Sequence, residues 1–345
     1  MGVALTELLL IKEIELDFFS NKTLVVDAPM WLYQFLSSIR QRDGTLLADS
    51  KGQATSHLVG LISRVSNLSQ QGIKLAFVFD GEPPLLKKLT LEKRKEIKLA
   101  AQKNFDKAKD EADEELMKKF ASRTSRLTQE MIGEAKKLVE AFGLPVIEAP
   151  TEAEAQASLI VKNNDAYAVA TNDADALLFG ATRIARNVSI AGRKKKASKL
   201  SYETVTPDLI VLEDNLNHLG ISRDQLIALA MLIGTDYNIG GVKGIGPKNA
   251  LKLVKKNGDN LDALFNEAKW EDNFEFKWED VFELIKNMPV NENYEMKWSN
   301  IDEDKVMKLL VDEHDFSEER VRLQIDAMRK VNEKKGQKGL GEFLG

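Results

Sequence analysis

The 345-residue chain contains no cysteine. That excludes disulfides, zinc ribbons and a thiol nucleophile. Histidine is almost as scarce: His57, His218 and His314 lie far apart and in no ligand-spaced motif. A Ser-His-Asp site and a His-rich metal site are therefore disfavoured, and the chemistry of an enzyme built this way would rest mostly on carboxylates, lysines and arginines. No apolar run approaches the roughly 20 residues of a membrane span. The N-terminus, MGVALTELLLIKEIE, lacks a basic region and carries Glu7 within its apolar stretch, which makes it a poor signal peptide. Met1-Gly2-x-x-x-Thr6 fits the myristoylation pattern, but no basic patch or second lipid site lies nearby. A GxxxxGK[ST] phosphate loop is missing too, which disfavours an ATPase.

What is present reads as a globular protein with a large core. Hydrophobic residues make up 43% and charged residues 30%. The 49 basic and 54 acidic residues leave a net charge of −5, which excludes a uniformly basic nucleic-acid coat but allows local basic patches.

The first third alternates apolar bursts with amphipathic runs. Strands are expected at 23–27, 74–80, near 146 and at 166–170, with helices at 30–39 and 57–71 between them. Strands separated by helices imply an α/β fold: a mostly parallel sheet with helices on both faces. From 87 to 103, seven basic residues stand against Glu92 and Glu96, and the signs mix up to Lys119. This segment reads as a solvated helical hairpin or as an insertion over a site. From about Ser201 every signal reads as helical: Thr206-Pro207 as a cap with Pro at N1, and Ser222-Arg-Asp-Gln225 as a capping box. Beyond Lys330 the chain is polar and Gly-rich and reads as a loose tail.

The acids carry the first functional signal. Asp27 and Asp80 each end an apolar strand, and Asp173 and Asp175 follow another. In a parallel sheet these ends share one edge, where such folds bind ligands. Glu152 and Glu154 lie in Ala-Pro-Thr-Glu-Ala-Glu-Ala, where a Thr151-x-x-Glu154 capping box competes as an explanation. Asp236 follows an apolar helix in Gly-Thr-Asp-Tyr. Carboxylates gathered at one edge without His or Cys repel each other unless hard cations such as Mg²⁺ or Mn²⁺ sit between them. Two ions about 4 Å apart suit phosphodiester hydrolysis. Val-Phe-Asp80-Gly also invites a phosphatase reading, but Glu82 stands where the second Asp is needed.

The second signal is Gly241-Val-Lys243-Gly244-Ile-Gly246-Pro-Lys248. Its glycine-rich backbone, helix N-terminus and two lysines suit a phosphate, gripped without reading sequence. Arg193-Lys194-Lys195-Lys196 with Lys199 reads equally well as a solvated loop or a phosphate contact.

Together, Val-Val-Asp27-Ala, Val-Phe-Asp80-Gly-Glu-Pro-Pro, Pro-Thr-Glu152-Ala-Glu154-Ala, Ala-Thr-Asn-Asp173-Ala-Asp175 and Gly-Thr-Asp236-Tyr resemble the flap endonucleases in order and spacing. These are structure-specific 5′ nucleases of the XPG superfamily with a PIN-like fold, and the archaeal members are the better likeness. The resemblance spans Gly2 to Leu344. It implies two Mg²⁺ ions, replaceable by Mn²⁺, held by Asp27, Asp80, Glu152 and Glu154 and by Asp173, Asp175 and Asp236. It also implies Lys87 and Arg94 as catalytic cations at the base of a helical arch (about 85–126). Gly2, Tyr33, Thr55, Ser56, Lys243, Gly244, Gly246 and Lys248 become DNA contacts, and the glycine hairpin falls within a helix-two-turn-helix (about 223–257) that binds K⁺. One nuclease domain, 1–330, would then precede a flexible 331–345 tail. There Gln337, Leu340, Phe343 and Leu344 match a motif for the sliding clamp PCNA. The implied protein is a monomer acting on 5′-flap DNA in replication and repair, with 5′–3′ exonuclease activity. Its address is the archaeal cytoplasm at the nucleoid, or the nucleus in a eukaryote. Asn172 stands where many relatives carry an acid. A clamp-tethered DNA-binding factor without chemistry and a small-molecule phosphohydrolase are the competing readings.

Overall fold

The computed structural model describes residues 5–88, 91–92, 96, 99–100, 103, 126–190, 192–195 and 202–341. Strands β1 (Lys12–Glu13), β2 (Thr23–Asp27), β3 (Lys74–Phe79), β4 (Val146–Glu148), β5 (Ala168–Ala170), β6 (Arg183–Arg186) and β9 (Asp208–Val211) form one sheet in the order β1-β9-β6-β5-β2-β3-β4. The five strands from β6 to β4 run parallel, while β9 is antiparallel to both β6 and β1. Strand β7 (Gly192–Lys195) pairs with β8 (Tyr202–Val205) in a separate antiparallel hairpin. The basic segment that begins at Arg193 thus enters a strand rather than a loop.

Alternation along the central strands divides the core into two. Leu24, Val26, Leu75, Phe77 and Phe79 face one layer, and Val25, Ala76 and Val78 the other. Helices α1 (Ala28–Ser38), α2 (Ser56–Gln70) and α3 (Gln129–Ala141) cover the first face. Helices α4 (Ala153–Lys162) and α5 (Asp175–Leu178) lie on the second. There they meet the C-terminal helices α6 (Leu212–Leu219), α7 (Arg223–Ile233) and α8 (Pro247–Asn257).

The all-helical expectation beyond Ser201 fails at 202–211, where two strands form. Pro207 does not open a helix. It precedes β9, whose Leu209 and Ile210 are buried between β6 and β1, and tertiary pairing outweighs the local Thr-Pro signal. Further on the expectations hold: the Ser222–Gln225 capping box forms, and Pro247 takes the first turn of α8. The last helix, α9, runs Glu318–Gly341 and so continues into the segment that reads as a loose tail.

Candidate active site

The strand order reverses between β5 and β2, so a crevice opens above their carboxyl ends. Asp27 closes β2 and Thr171 follows β5 there. Asp27 caps α1, its Oδ1 accepting from Met30 N–H at 3.1 Å, while its Oδ2 accepts from the Thr171 hydroxyl at 3.1 Å. Thr171 Oγ1 also lies 3.3 Å from Glu154 Oε1 and accepts from Asp173 N–H at 3.2 Å. Its single proton cannot serve both carboxylates at once.

Asp80, just past β3, accepts from Ala153 N–H at 2.8 Å and so anchors the first turn of α4. The Thr151–Glu154 capping box does not form. Thr151 instead donates to Pro289 C=O at 3.0 Å, and Glu152 stands at the N-cap with no side-chain cap bond. Both glutamates are thereby free to face the crevice. Glu154, Asp173 and Asp175 can each bring a carboxylate oxygen within 4.8 Å of the others, the one such group among the described residues. Asp236, on the turn after α7, faces the same space: Lys87 pairs with Glu152 and lies 3.8 Å from Asp236 Oδ2.

Crowding shows in the proton affinities. Burial, then the Asp80 charge, raises Asp27 to about 7. Burial followed by Asp173 and Asp27 lifts Glu154 well above the carboxylate range. Asp173 and Glu152 are raised as well, burial being the main cause, with Lys87 opposing it at both. Asp80 keeps accessible surface, yet desolvation by the protein around it raises it too. A set of oxygen donors held together at this cost, with no histidine or thiol among them, fits hard divalent cations.

A cleft of about 260 Å³ takes in two of the acids, lined by Tyr33, Phe79, Asp80, Lys87, Ile132 and Glu152. Tyr33 is 39% exposed. Lys243, Gly244 and Gly246 are exposed on the turn leading into α8, and Lys248 is exposed in the first turn of that helix. Thr55 and Ser56 are buried, and Ser56 Oγ accepts from Leu47 N–H at 3.0 Å. Arg94, Gly2, Phe343 and Leu344 lie outside the described residues, as does most of the 85–126 arch, while Gln337 and Leu340 are described only as helical backbone.

Three features of the structure are not signalled by the motifs. Thr171 carries no role in the Ala-Thr-Asn-Asp pattern, yet it bridges two acids. Tyr237 is buried beside the cluster, and desolvation, then Glu152, Glu154, Asp175 and Asp236, drive its phenol upward. The two distant histidines also meet: His57 Nε2 lies 3.0 Å from Glu134 Oε2, and His314 Nε2 lies 3.3 Å from Oε1. Asp49 takes His314 Nδ1 at 3.0 Å. Glu134 and His314 themselves line a separate 390 Å³ cavity, together with Lys51, Gln53, Glu130 and Lys137. No sequence spacing could have joined residues 57, 134 and 314.

Carboxylates converging on the switch point of a mostly parallel sheet, beside a basic turn, define a metal-dependent nuclease of PIN-like fold. Residues 2–101 match the XPG N-terminal domain and residues 143–236 the XPG I-region. Flap endonuclease 1 of Thermococcus onnurineus (strain NA1) is 46% identical over 345 residues, spanning 100% of this chain and 99% of that relative. The structure is similar to the flap endonuclease-1 from Methanococcus jannaschii, with TM-score 0.76 and 36% identity over 97% of this chain and 100% of that one. It is also similar to the catalytic core of Rad2 in complex with DNA substrate, with TM-score 0.67 and 25% identity over 92% of this chain and 96% of that one. The chain belongs to the flap endonuclease family, and archaeal members dominate its relatives.

Proposed function

We propose that the chain is a structure-specific 5′ flap endonuclease that hydrolyses phosphodiesters at flap junctions in DNA replication and repair, with 5′–3′ exonuclease activity. The observation that carries this reading is the convergence of Glu154, Asp173 and Asp175 on one point at the sheet edge. Nothing favours the clamp-tethered factor without chemistry, since every acid of the set is in place.

Asp27, Asp80, Glu152 and Glu154 would hold one Mg²⁺, and Asp173, Asp175 and Asp236 a second, with Glu154 near both and Mn²⁺ an acceptable substitute. When bound, such ions activate water and stabilise developing negative charge. The chain's own groups do the rest. Lys87 would offer its ammonium to the scissile phosphate. Tyr33 stacks on a frayed base at the mouth of the cleft. Lys243 and Lys248, with the N–H groups of the turn, hold duplex backbone without reading its sequence, and K⁺ at the same turn would strengthen that grip. Gln337, Leu340, Phe343 and Leu344 would dock the tail on the sliding clamp PCNA. The working form would be a monomer at the nucleoid.

A panel of labelled DNAs, comprising 5′ flap, 3′ flap, gap, bubble and blunt duplex, incubated with Mg²⁺, tests the reading. The 5′ flap should be cut fastest, near the junction. Equal rates on all five would remove the structure specificity.

A further inference from the structure

We infer that Asn238 is a positioning residue that locks the acid Asp236 and the phosphate-gripping turn at Lys243–Lys248 into one unit. The inference rests on the nuclease reading above and assigns a role to a residue that meets neither ion nor DNA.

Asn238 is 1% exposed and lies two residues past Asp236. Its Oδ1 accepts from Thr235 N–H at 3.2 Å and from the Thr235 hydroxyl at 2.6 Å. Its Nδ2 donates to Met231 C=O at 2.7 Å. Thr235 Oγ1 in turn accepts from Tyr237 N–H at 3.1 Å. Side chains thus close the turn that presents Asp236, and every polar atom of the carboxamide is engaged.

The same knot seals the end of α7. A helix leaves its last carbonyls without intrahelical partners. Here three successive carbonyls are taken in order. Ala230 accepts from Gly234 N–H at 2.8 Å, Met231 from Asn238, and Leu232 from Val242 N–H at 2.9 Å. The loop is sewn to its helix at the start, the middle and the end. Close backbone packing removes the remaining slack. A Cβ on Gly241 would meet Ile233 O at 2.2 Å, and one on Gly234 would meet Gly241 N at 2.6 Å. Lys243 follows the last stitch directly, and its N–H donates to Asn273 Oδ1 at 3.1 Å.

Asp236 and Lys243 therefore stand at opposite ends of one rigid loop, with Asn238 as its central fastener. Seating duplex backbone on the lysines fixes where Asp236 points, and an ion held at Asp236 pre-orders the turn. By linkage the effect runs equally in both directions. A residue that served turn stability alone would lower the melting temperature and leave both affinities unchanged.

The test uses the full-length protein with Asn238→Leu, which keeps the shape and removes all three bonds. Thr235→Val is the milder second variant and carries the test if the first does not fold. Mn²⁺ binding is measured by calorimetry without DNA, and duplex binding by anisotropy in EDTA. Outer-shell partners are worth about 10- to 100-fold in metal affinity, so Asn238→Leu should lose about tenfold for Mn²⁺. Duplex affinity should fall in the same variant, and Thr235→Val should lose less of each. A Lys248→Ala control should weaken duplex binding alone. Wild-type affinities for both ligands in a folded Asn238→Leu protein would overturn the inference, as would loss of one without the other. Failure of the parent reading looks different: Mn²⁺ binding would then survive Asp173→Ala, and the positioning role would fall with it.

Discussion

The carboxylate of Asp80 accepts a hydrogen bond from Ala153 N–H at 2.8 Å, which joins the end of β3 to the start of the helix that carries Glu152 and Glu154. One acid thus acts both as ligand candidate and as anchor for two others. Asp80→Asn keeps an acceptor for that N–H and loses the charge, whereas Asp80→Ala loses both. Each variant should slow cleavage by more than the roughly 10- to 100-fold worth of an outer-shell partner. Without metal, Asp80→Ala should be less stable than Asp80→Asn by about 1 kcal/mol, the usual net value of one hydrogen bond. Urea unfolding in EDTA measures the difference.

The crowded acids make metal-free stability depend on pH. Asp27 titrates at about 7 in the fold against a reference of 3.8. At pH 5 the folded protein holds this proton and the unfolded chain does not. Its contribution is therefore fully present below 3.8 and is lost as pH rises through 7. Asp27→Asn should remove that dependence. In EDTA the variant should gain stability relative to wild type between pH 5 and pH 8, by a few kcal/mol at most, on the order of the linkage estimate. A constant difference across that range in thermal melts contradicts the assignment.

Lys87 pairs with Glu152 and approaches Asp236, so its ammonium sits where cations are expected. Lys87→Ala removes a competitor for those oxygens as well as a partner for the phosphate. Mn²⁺ should bind this variant at least as tightly as wild type, by calorimetry. Its single-turnover cleavage rate should fall far more than its affinity for flap DNA. Equal losses in rate and affinity would make Lys87 a general phosphate contact.

Lys243 and Lys248 are both exposed. Replacing either with Ala should weaken binding to every duplex alike. The salt slope should fall by about 0.9 for each phosphate that is no longer neutralised. Binding isotherms over a range of KCl concentrations give the slope directly.

Much of this was legible in the sequence because it is local. The buried runs around Val25 and Phe77 announce parallel strands, and an acid at the end of each announces a shared edge. Pro247 and the Ser222 capping box mark helix starts through chemistry confined to four residues. What failed was decided at long range. Strand β9 exists because β6 and β1 lie on either side of it, while its own Thr206-Pro207 start reads as a helix. Thr151 looks like a capping residue until Pro289, distant in sequence, takes its hydroxyl. Glu134 gathers His57 and His314 from opposite ends of the chain, a pairing that no local spacing encodes.

The central claim is that the carboxylates at the sheet edge serve metal-dependent cleavage of 5′ flaps. It is tested most directly by single-turnover cleavage of a labelled 5′-flap duplex in Mg²⁺ by wild type and Asp173→Ala, with flap binding measured in Ca²⁺ on the same samples. Wild type should cut near the junction in Mg²⁺ and bind without cutting in Ca²⁺. Asp173→Ala should bind the flap and leave it intact. Cleavage by Asp173→Ala at the wild-type rate, or by wild type in EDTA, would contradict the account.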